Sequence, residues 1–89
     1  MAQVNITDKV SKARLQENLN TLERFTDSSL PYTRRAFSSY YYEARHWLYQ
    51  QFQDAGLKTS VDPAGNLIGR LGPSGVPSVC IGSHIDTVE

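Results

Sequence analysis

The sequence predicts an α/β fold in which two helices pack on a small mixed sheet, made of a hairpin and a third strand. Two stretches with apolar side chains at helical spacing come first, and two short alternating segments separated by a turn follow them. A third apolar run, preceded by glycine and proline, comes last. This order of elements predicts one helical layer covering one sheet.

The first helix is predicted over residues 8–26. Thr7 is a suitable N-cap, and the carboxylate of Asp8 suits the positive end of the helix dipole. Apolar residues recur at helical spacing along this stretch, at Leu15, Leu19, Leu22 and Phe25. Since the stripe is narrow, we expect an amphipathic surface helix that packs on another element.

The second helix is predicted over residues 39–55, with Ser38 as its N-cap. Its buried face is expected to comprise Tyr41, Ala44, Trp47, Leu48, Phe52 and Ala55. The side chains expected to point away are Tyr42, His46 and Tyr49. Gly56 is placed to adopt the left-handed conformation just past the helix, so that Leu57 can fold back on Phe52 in a Schellman motif.

Three strands are predicted, over residues 57–62, 66–71 and 78–84. Proline, glycine and asparagine between the first two strands predict a tight turn and therefore a hairpin. Cys80 lies inside the apolar third strand, where we expect it to be a small core residue in a reducing compartment.

Composition limits the classes of partner. Nine basic residues balance nine acidic ones, which argues against nucleic acid and against an anionic membrane as partners. The tyrosines at 40–42 and nearby arginines could stack on bases, but neutral charge and helical phase favour packing instead. No signal peptide and no long apolar segment is evident, which predicts a cytoplasmic protein.

His84 and Asp86 are the residues most suited to chemistry. Residues i and i+2 of a strand lie on one face, so the carboxylate could reach the imidazole and fix its tautomer, as carboxylates do around metal ligands. Gly82 and Ser83 leave space beside the histidine. A structural histidine at a strand end explains the same spacing equally well, so the local pattern leaves both interpretations open.

Several segments taken together resemble the N-terminal region of N-carbamoyl-L-amino-acid hydrolases and allantoate amidohydrolases, in the superfamily of two-metal peptidases. The resemblance extends over nearly the whole chain. Its main motifs are Ala44-Arg45-His46-Trp47-Leu48, Ala55-Gly56-Leu57, Asp62-Pro63-Ala64-Gly65-Asn66-Leu67, Gly69-Arg70-Leu71 and Gly82-Ser83-His84-Ile85-Asp86-Thr87-Val88. Thr33-Arg34 and Phe37-Ser38 resemble a segment typical of the carbamoylase branch. Pro31-Tyr32 and Glu89 depart from the family's usual residues.

The resemblance implies that residues 1–89 form the incomplete N-terminal portion of a two-metal peptidase-like catalytic domain. It implies that His84 is a metal ligand and that Asp86 is the catalytic carboxylate that orients it. The complete enzyme would use two divalent metal ions, either zinc, manganese or cobalt, which this segment alone is not expected to hold. It would act on a small-molecule substrate as a homodimer, with no nucleic acid or membrane as partner.

The function implied is hydrolysis of a carbamoyl or ureido C–N bond in an N-carbamoyl-L-amino acid or an allantoate-type substrate. The 89-residue chain by itself is expected to be inactive. Two alternatives remain: a related aminoacylase or dipeptidase, and a non-catalytic interaction module derived from the enzyme.

Overall fold

The computed structural model describes residues 10–88. Its elements are helix α1, Lys12–Glu23, helix α2, Ser39–Asp54, strand β1, Lys58–Val61, and strand β2, Leu67–Arg70. The two strands pair antiparallel, with Lys58 opposite Arg70 and Val61 opposite Leu67. The predicted α/β class and hairpin are therefore confirmed.

Helix α1 begins later than the sequence predicts. Ser11 is its N-cap, and the Ser11 side chain accepts a hydrogen bond from the backbone N–H of Arg14 at 3.1 Å. The predicted cap, Thr7, and the predicted first residue, 8, lie outside the described residues; among those described, Val10 and Ser11 precede the helix, which begins at Lys12. Serine accepts a hydrogen bond from the first free N–H groups of a helix as well as threonine does, so Ser11 is able to cap this helix.

The same helix ends at Glu23, three residues earlier than the predicted end at residue 26. The hydroxyl of Thr26 instead organises the following loop. It donates to the carbonyl of Thr33 at 3.1 Å and accepts from the N–H of Thr33 at 3.0 Å. Threonine hydroxyls compete in this way with helical backbone bonds, which explains the early end.

The predicted cap at the end of α2 is confirmed. Gly56 has φ of 86°, a left-handed conformation in which glycine avoids a steric penalty. Its N–H donates to the carbonyl of Gln53 at 2.9 Å, and the N–H of Leu57 donates to that of Phe52 at 3.0 Å. This pair of bonds defines the Schellman motif.

The faces of α2 follow the prediction with two exceptions. Ala44 is fully buried, Tyr41, Trp47, Leu48 and Phe52 are half-buried, and Tyr42 and His46 are exposed. Ala55 is exposed, contrary to the prediction, because it is the C-cap and lies beyond the packed turns. Tyr49 was expected to point away, yet it is half-buried, and its hydroxyl donates to the carbonyl of Thr59 at 3.4 Å.

α2 packs closely on the hairpin at Gly69. A Cβ atom added at Gly69 would stand 2.8 Å from Leu57 Cδ1 and 2.8 Å from Phe52 Cδ2. The absence of a side chain at residue 69 therefore lets the strand approach the end of the helix. The loop after α1 reaches α2 through Phe25 and Trp47, whose ring centroids are 6.2 Å apart.

The predicted third strand over residues 78–84 is wrong for the part of the chain that the structure describes. Val79 and Ile81 are 92% and 94% exposed, and Cys80 is exposed rather than part of the core. A strand needs a neighbour that accepts and donates its backbone hydrogen bonds. Within residues 10–88, β1 and β2 pair only with each other, so the apolar run has no strand beside it. No described helix combines the length and the apolar character needed to cross a membrane.

Candidate functional site

The structure places the side chains of His84 and Asp86 together. The Nδ1 atom of His84 lies 2.9 Å from the backbone oxygen of Asp86 and 3.1 Å from its Oδ1 atom. A carbonyl oxygen can only accept a hydrogen bond, so Nδ1 must carry the proton. In the neutral ring Nε2 then keeps its lone pair, which is the form of imidazole that binds metals.

The backbone conformation that brings His84 and Asp86 together differs from the predicted strand. Residues 84–86 do not form a strand, and the imidazole turns onto both the backbone and the side chain of Asp86. The side chains of His84 and Asp86 remain 79% and 51% exposed. The Nδ1–Oδ1 contact is therefore a solvated one, worth at most about 1 kcal/mol.

The segment is anchored by its neighbours along the chain. Thr87 and Arg34 form an isolated antiparallel bridge in which each residue's N–H donates to the other's carbonyl, both at 2.9 Å. Ile85 and Thr87 are half-buried, whereas His84 and Asp86 are exposed. Alternate residues thus face the protein, and the two candidate site residues face solvent.

The side chain of Arg34 joins this segment to the end of α1. Its Nε atom donates to the carbonyl of Ile85 at 2.8 Å. Its Nη1 atom donates to the carbonyls of Leu22 and Phe25, both at 2.9 Å. Arg34 is only 7% exposed, which is unusual for a charged residue and is explained by these three bonds.

Burial lowers the pKa of Arg34 from its ordinary value, and the nearby charge of Asp86 opposes that change. Arginine remains protonated even so, because its pKa is far above physiological pH. Asp86 thus contacts the imidazole of His84 and also lies within the electrostatic reach of a buried cation. This places a positive charge behind the exposed pair.

Charge pattern and periodicity do not identify Arg34, because its three side-chain partners are backbone carbonyls and carbonyls have no sequence signature. Its neighbour Arg35 has the same charge and is exposed. The one available signal is the resemblance of Thr33-Arg34 to a family segment. Thr33 is also buried, at 3% exposure.

The described residues do not supply a complete metal site. Within residues 10–88 no group of three histidine, cysteine or acidic side chains could hold a metal ion. His84 fits the part of a single ligand, since its Nδ1 is held and its ring is exposed. His46, the other histidine, is an exposed residue of α2, as expected, with Nε2 3.4 Å from the side-chain nitrogen of Gln50.

An open cleft of about 210 Å³ lies beside Arg34, with Leu22, Tyr32 and Thr87 among its lining residues. Neither His84 nor Asp86 lines it. The cleft therefore lies between α1 and Thr87 and is separate from the candidate site.

Comparison with known proteins finds relatives that align with most of the chain. This chain is 40% identical over 89 residues to N-carbamoyl-L-amino-acid amidohydrolase of Pseudomonas sp. (strain NS671), and the alignment covers 93% of this chain and 21% of that protein. It is 36% identical over 77 residues to allantoate amidohydrolase of Escherichia coli (strain K12), covering 83% of this chain and 19% of that protein. It is 34% identical over 77 residues to ureidoglycolate hydrolase of Oryza sativa subsp. japonica, covering 83% of this chain and 16% of that protein.

These similarities confirm the resemblance to N-carbamoyl-L-amino-acid hydrolases and allantoate amidohydrolases that the sequence motifs indicate. The chain spans about a fifth of the length of the curated relatives it matches. No protein-family model matches it. No solved structure matches it significantly.

Proposed function

We propose that this chain is the N-terminal portion of the catalytic domain of a metal-dependent amidohydrolase. Its reaction is hydrolysis of a carbamoyl or ureido C–N bond in an N-carbamoyl-L-amino acid or an allantoate-type substrate. The names of the Pseudomonas and Escherichia relatives support this reaction class. In this proposal His84 is a metal ligand and Asp86 is the carboxylate that orients it.

The observation that carries the proposal is the state of the His84 ring. Nδ1 is committed to Asp86 by two contacts, at 2.9 and 3.1 Å, and the ring is otherwise exposed. A metal-ligating histidine commonly donates its other ring N–H to a carboxylate or a backbone carbonyl, which fixes its tautomer. The contacts of His84 with Asp86 have this form, and they leave Nε2 available.

The cofactors of this proposal are two divalent ions, either zinc, manganese or cobalt, which lower the pKa of bound water and polarise the scissile carbonyl when present. In this proposal the described residues supply one metal ligand, His84. Asp86 accepts from Nδ1, which fixes the tautomer and increases the basicity of Nε2. We expect the 89-residue chain alone to hold no stoichiometric metal, because a metal site normally needs three or more protein ligands and this proposal assigns one, His84.

The partner in this proposal is a small-molecule substrate, and the complete enzyme is a homodimer. Equal numbers of acidic and basic residues, nine of each, support a small substrate over nucleic acid or an anionic membrane. The aminoacylase alternative differs in the bond hydrolysed. A panel of N-carbamoyl and N-acetyl amino acids, tested on a complete enzyme that contains this chain, distinguishes the two activities.

A chimera tests the catalytic role directly. Residues 10–88 of this chain replace the region of the Pseudomonas enzyme that aligns with them, and release of ammonia from N-carbamoyl-L-amino acids is measured with added zinc or manganese. We expect turnover that a chelator abolishes. We expect His84→Gln to lower kcat by at least about 100-fold, because outer partners of a metal site alone cost 10–100-fold.

His46→Gln is the matched control, since it changes the other histidine, which is exposed on α2. It should leave turnover unchanged. A folded chimera that is inactive, or one whose activity survives His84→Gln, would contradict the proposal.

A further inference from the structure

We infer that Arg34 is a positioning residue that fixes the orientation of the His84 ring by holding the carbonyl of Ile85. The inference rests on the proposed function for the use made of the free Nε2 atom. The orientation itself depends only on the contacts of this chain.

The hydrogen bond from Arg34 to Ile85 lies between the two candidate site residues. Ile85 stands between His84 and Asp86, and its carbonyl accepts from Arg34 Nε at 2.8 Å. On the other side of Asp86, the backbone bridge between Thr87 and Arg34 adds two bonds of 2.9 Å. Arg34 therefore restrains the backbone both before and after Asp86, the residue that accepts the hydrogen bonds from His84 Nδ1.

The guanidinium of Arg34 is itself held rigidly by the end of α1. The Nη1 atom of the same guanidinium donates to Leu22 and Phe25, at the end of α1, at 2.9 Å each. A planar guanidinium fixes the directions of its N–H groups relative to one another. Ile85 is thus held at a set position relative to the helix end rather than tethered by a single flexible contact.

Arg34 is buried, whereas the candidate site residues are exposed. Arg34 is 7% exposed, while the side chains of His84 and Asp86 are 79% and 51% exposed. With the ring so exposed, its orientation depends on the contacts of Nδ1 with the backbone oxygen and Oδ1 of Asp86. Those contacts depend on where the backbone places Asp86, and the side chain that binds this backbone is Arg34.

The test is NMR spectroscopy of the ¹⁵N-labelled 89-residue chain without metal, at about pH 8.5, where imidazole is neutral. We expect His84 to show separate signals for a protonated Nδ1 and an unprotonated Nε2. In Arg34→Met these signals should be lost and replaced by averaged ones. Arg34→Lys should lose them as well, because one ammonium group cannot reproduce the guanidinium fork.

Arg35→Met removes a neighbouring exposed arginine and should leave the His84 signals unchanged. Backbone amide signals of β1 and β2 report whether each variant keeps its fold. The inference is overturned if folded Arg34→Met or Arg34→Lys keeps the wild-type His84 signals. It is also overturned if both variants lose the hairpin signals, because Arg34 would then support the fold in general.

A zinc titration of the chimera separates this inference from the proposed function. Loss of the His84 signals in the Arg34 variants supports the positioning role whether or not His84 binds zinc. The chimera with His84→Gln decides the metal role independently.

Discussion

Two residues other than glycine adopt left-handed backbone conformations in the loop before α2. Tyr32 has φ of 53° and Phe37 has φ of 65°. Such conformations crowd the Cβ atom and cost about 1–2 kcal/mol for most residues. Both side chains are about equally exposed, Tyr32 at 66% and Phe37 at 65%, but Phe37 also makes an edge contact with Tyr41 at 5.7 Å between ring centroids.

Replacing Tyr32 with asparagine should therefore stabilise the protein. Asparagine tolerates the left-handed conformation, so we expect the free energy of unfolding to rise by about 0.5–1 kcal/mol in urea denaturation. Tyr32→Phe keeps the backbone cost and should change little. Equal stability of the asparagine and phenylalanine variants would show that the loop relaxes without cost.

Gly69→Ala should destabilise the contact between α2 and the hairpin. The added Cβ would lie 2.8 Å from both Leu57 and Phe52, so we expect a loss of about 1–3 kcal/mol in the free energy of unfolding. Gly82→Ala is the matched control, because no atom lies within 4 Å of the new Cβ. Its effect should stay within about 0.5 kcal/mol.

At the scale of elements, the turn between β1 and β2 depends on one carboxylate. Asp62 accepts from the side-chain nitrogen of Asn66 at 2.9 Å and from its backbone N–H at 2.8 Å. Arg45 donates to the carbonyl of Gly65 at 3.1 Å and joins the turn to α2. The two bonds from Asn66 lower the pKa of Asp62 below its ordinary value, and the side-chain bond contributes more than the backbone bond.

Hairpin stability should consequently fall in acid. A carboxyl whose pKa is lower in the folded state stabilises the fold at pH values above its unfolded pKa, and that contribution is lost as the pH falls through the folded pKa. We expect the difference in unfolding free energy between wild type and Asp62→Asn to be larger at pH 7 than at pH 3. A difference independent of pH would contradict the role of the charge.

The elements that sequence reasoning predicted well depend on local interactions. α2 ends through backbone bonds from Gly56 to the residue three positions earlier and from Leu57 to the residue five positions earlier, and the glycine itself signals that geometry. The run at 78–84 was mispredicted because a strand requires a neighbour, which apolar alternation cannot supply. Arg34 was missed for the same reason, since its partners are distant carbonyls.

At the scale of the whole molecule, the described chain leaves apolar residues uncovered. Val79 and Ile81 are 92% and 94% exposed, and Leu15 and Leu19 on α1 are 54% and 53% exposed. Exposed apolar residues that alternate along a segment with no strand beside it among residues 10–88 favour association with other chains.

The substitutions Val79→Lys and Ile81→Lys together should reduce self-association. We expect a lower average mass by light scattering than for wild type at equal concentration, because charges on an unpaired segment oppose pairing. Leu71→Lys, at a residue 83% exposed outside this segment, should have a smaller effect. A monomeric wild type would contradict this prediction.

The bonds of Arg34 also imply an order of events during folding. Its partners Phe25 and Leu22 are 9 and 12 residues away, whereas Ile85 is 51 residues away. Closing a longer loop costs more entropy and takes longer, so the helix end captures the guanidinium first and the 84–87 segment docks onto it afterwards. Undocking can then occur while the hairpin stays intact, and the amide of Thr87 should exchange its hydrogen faster than the paired amides of β1 and β2.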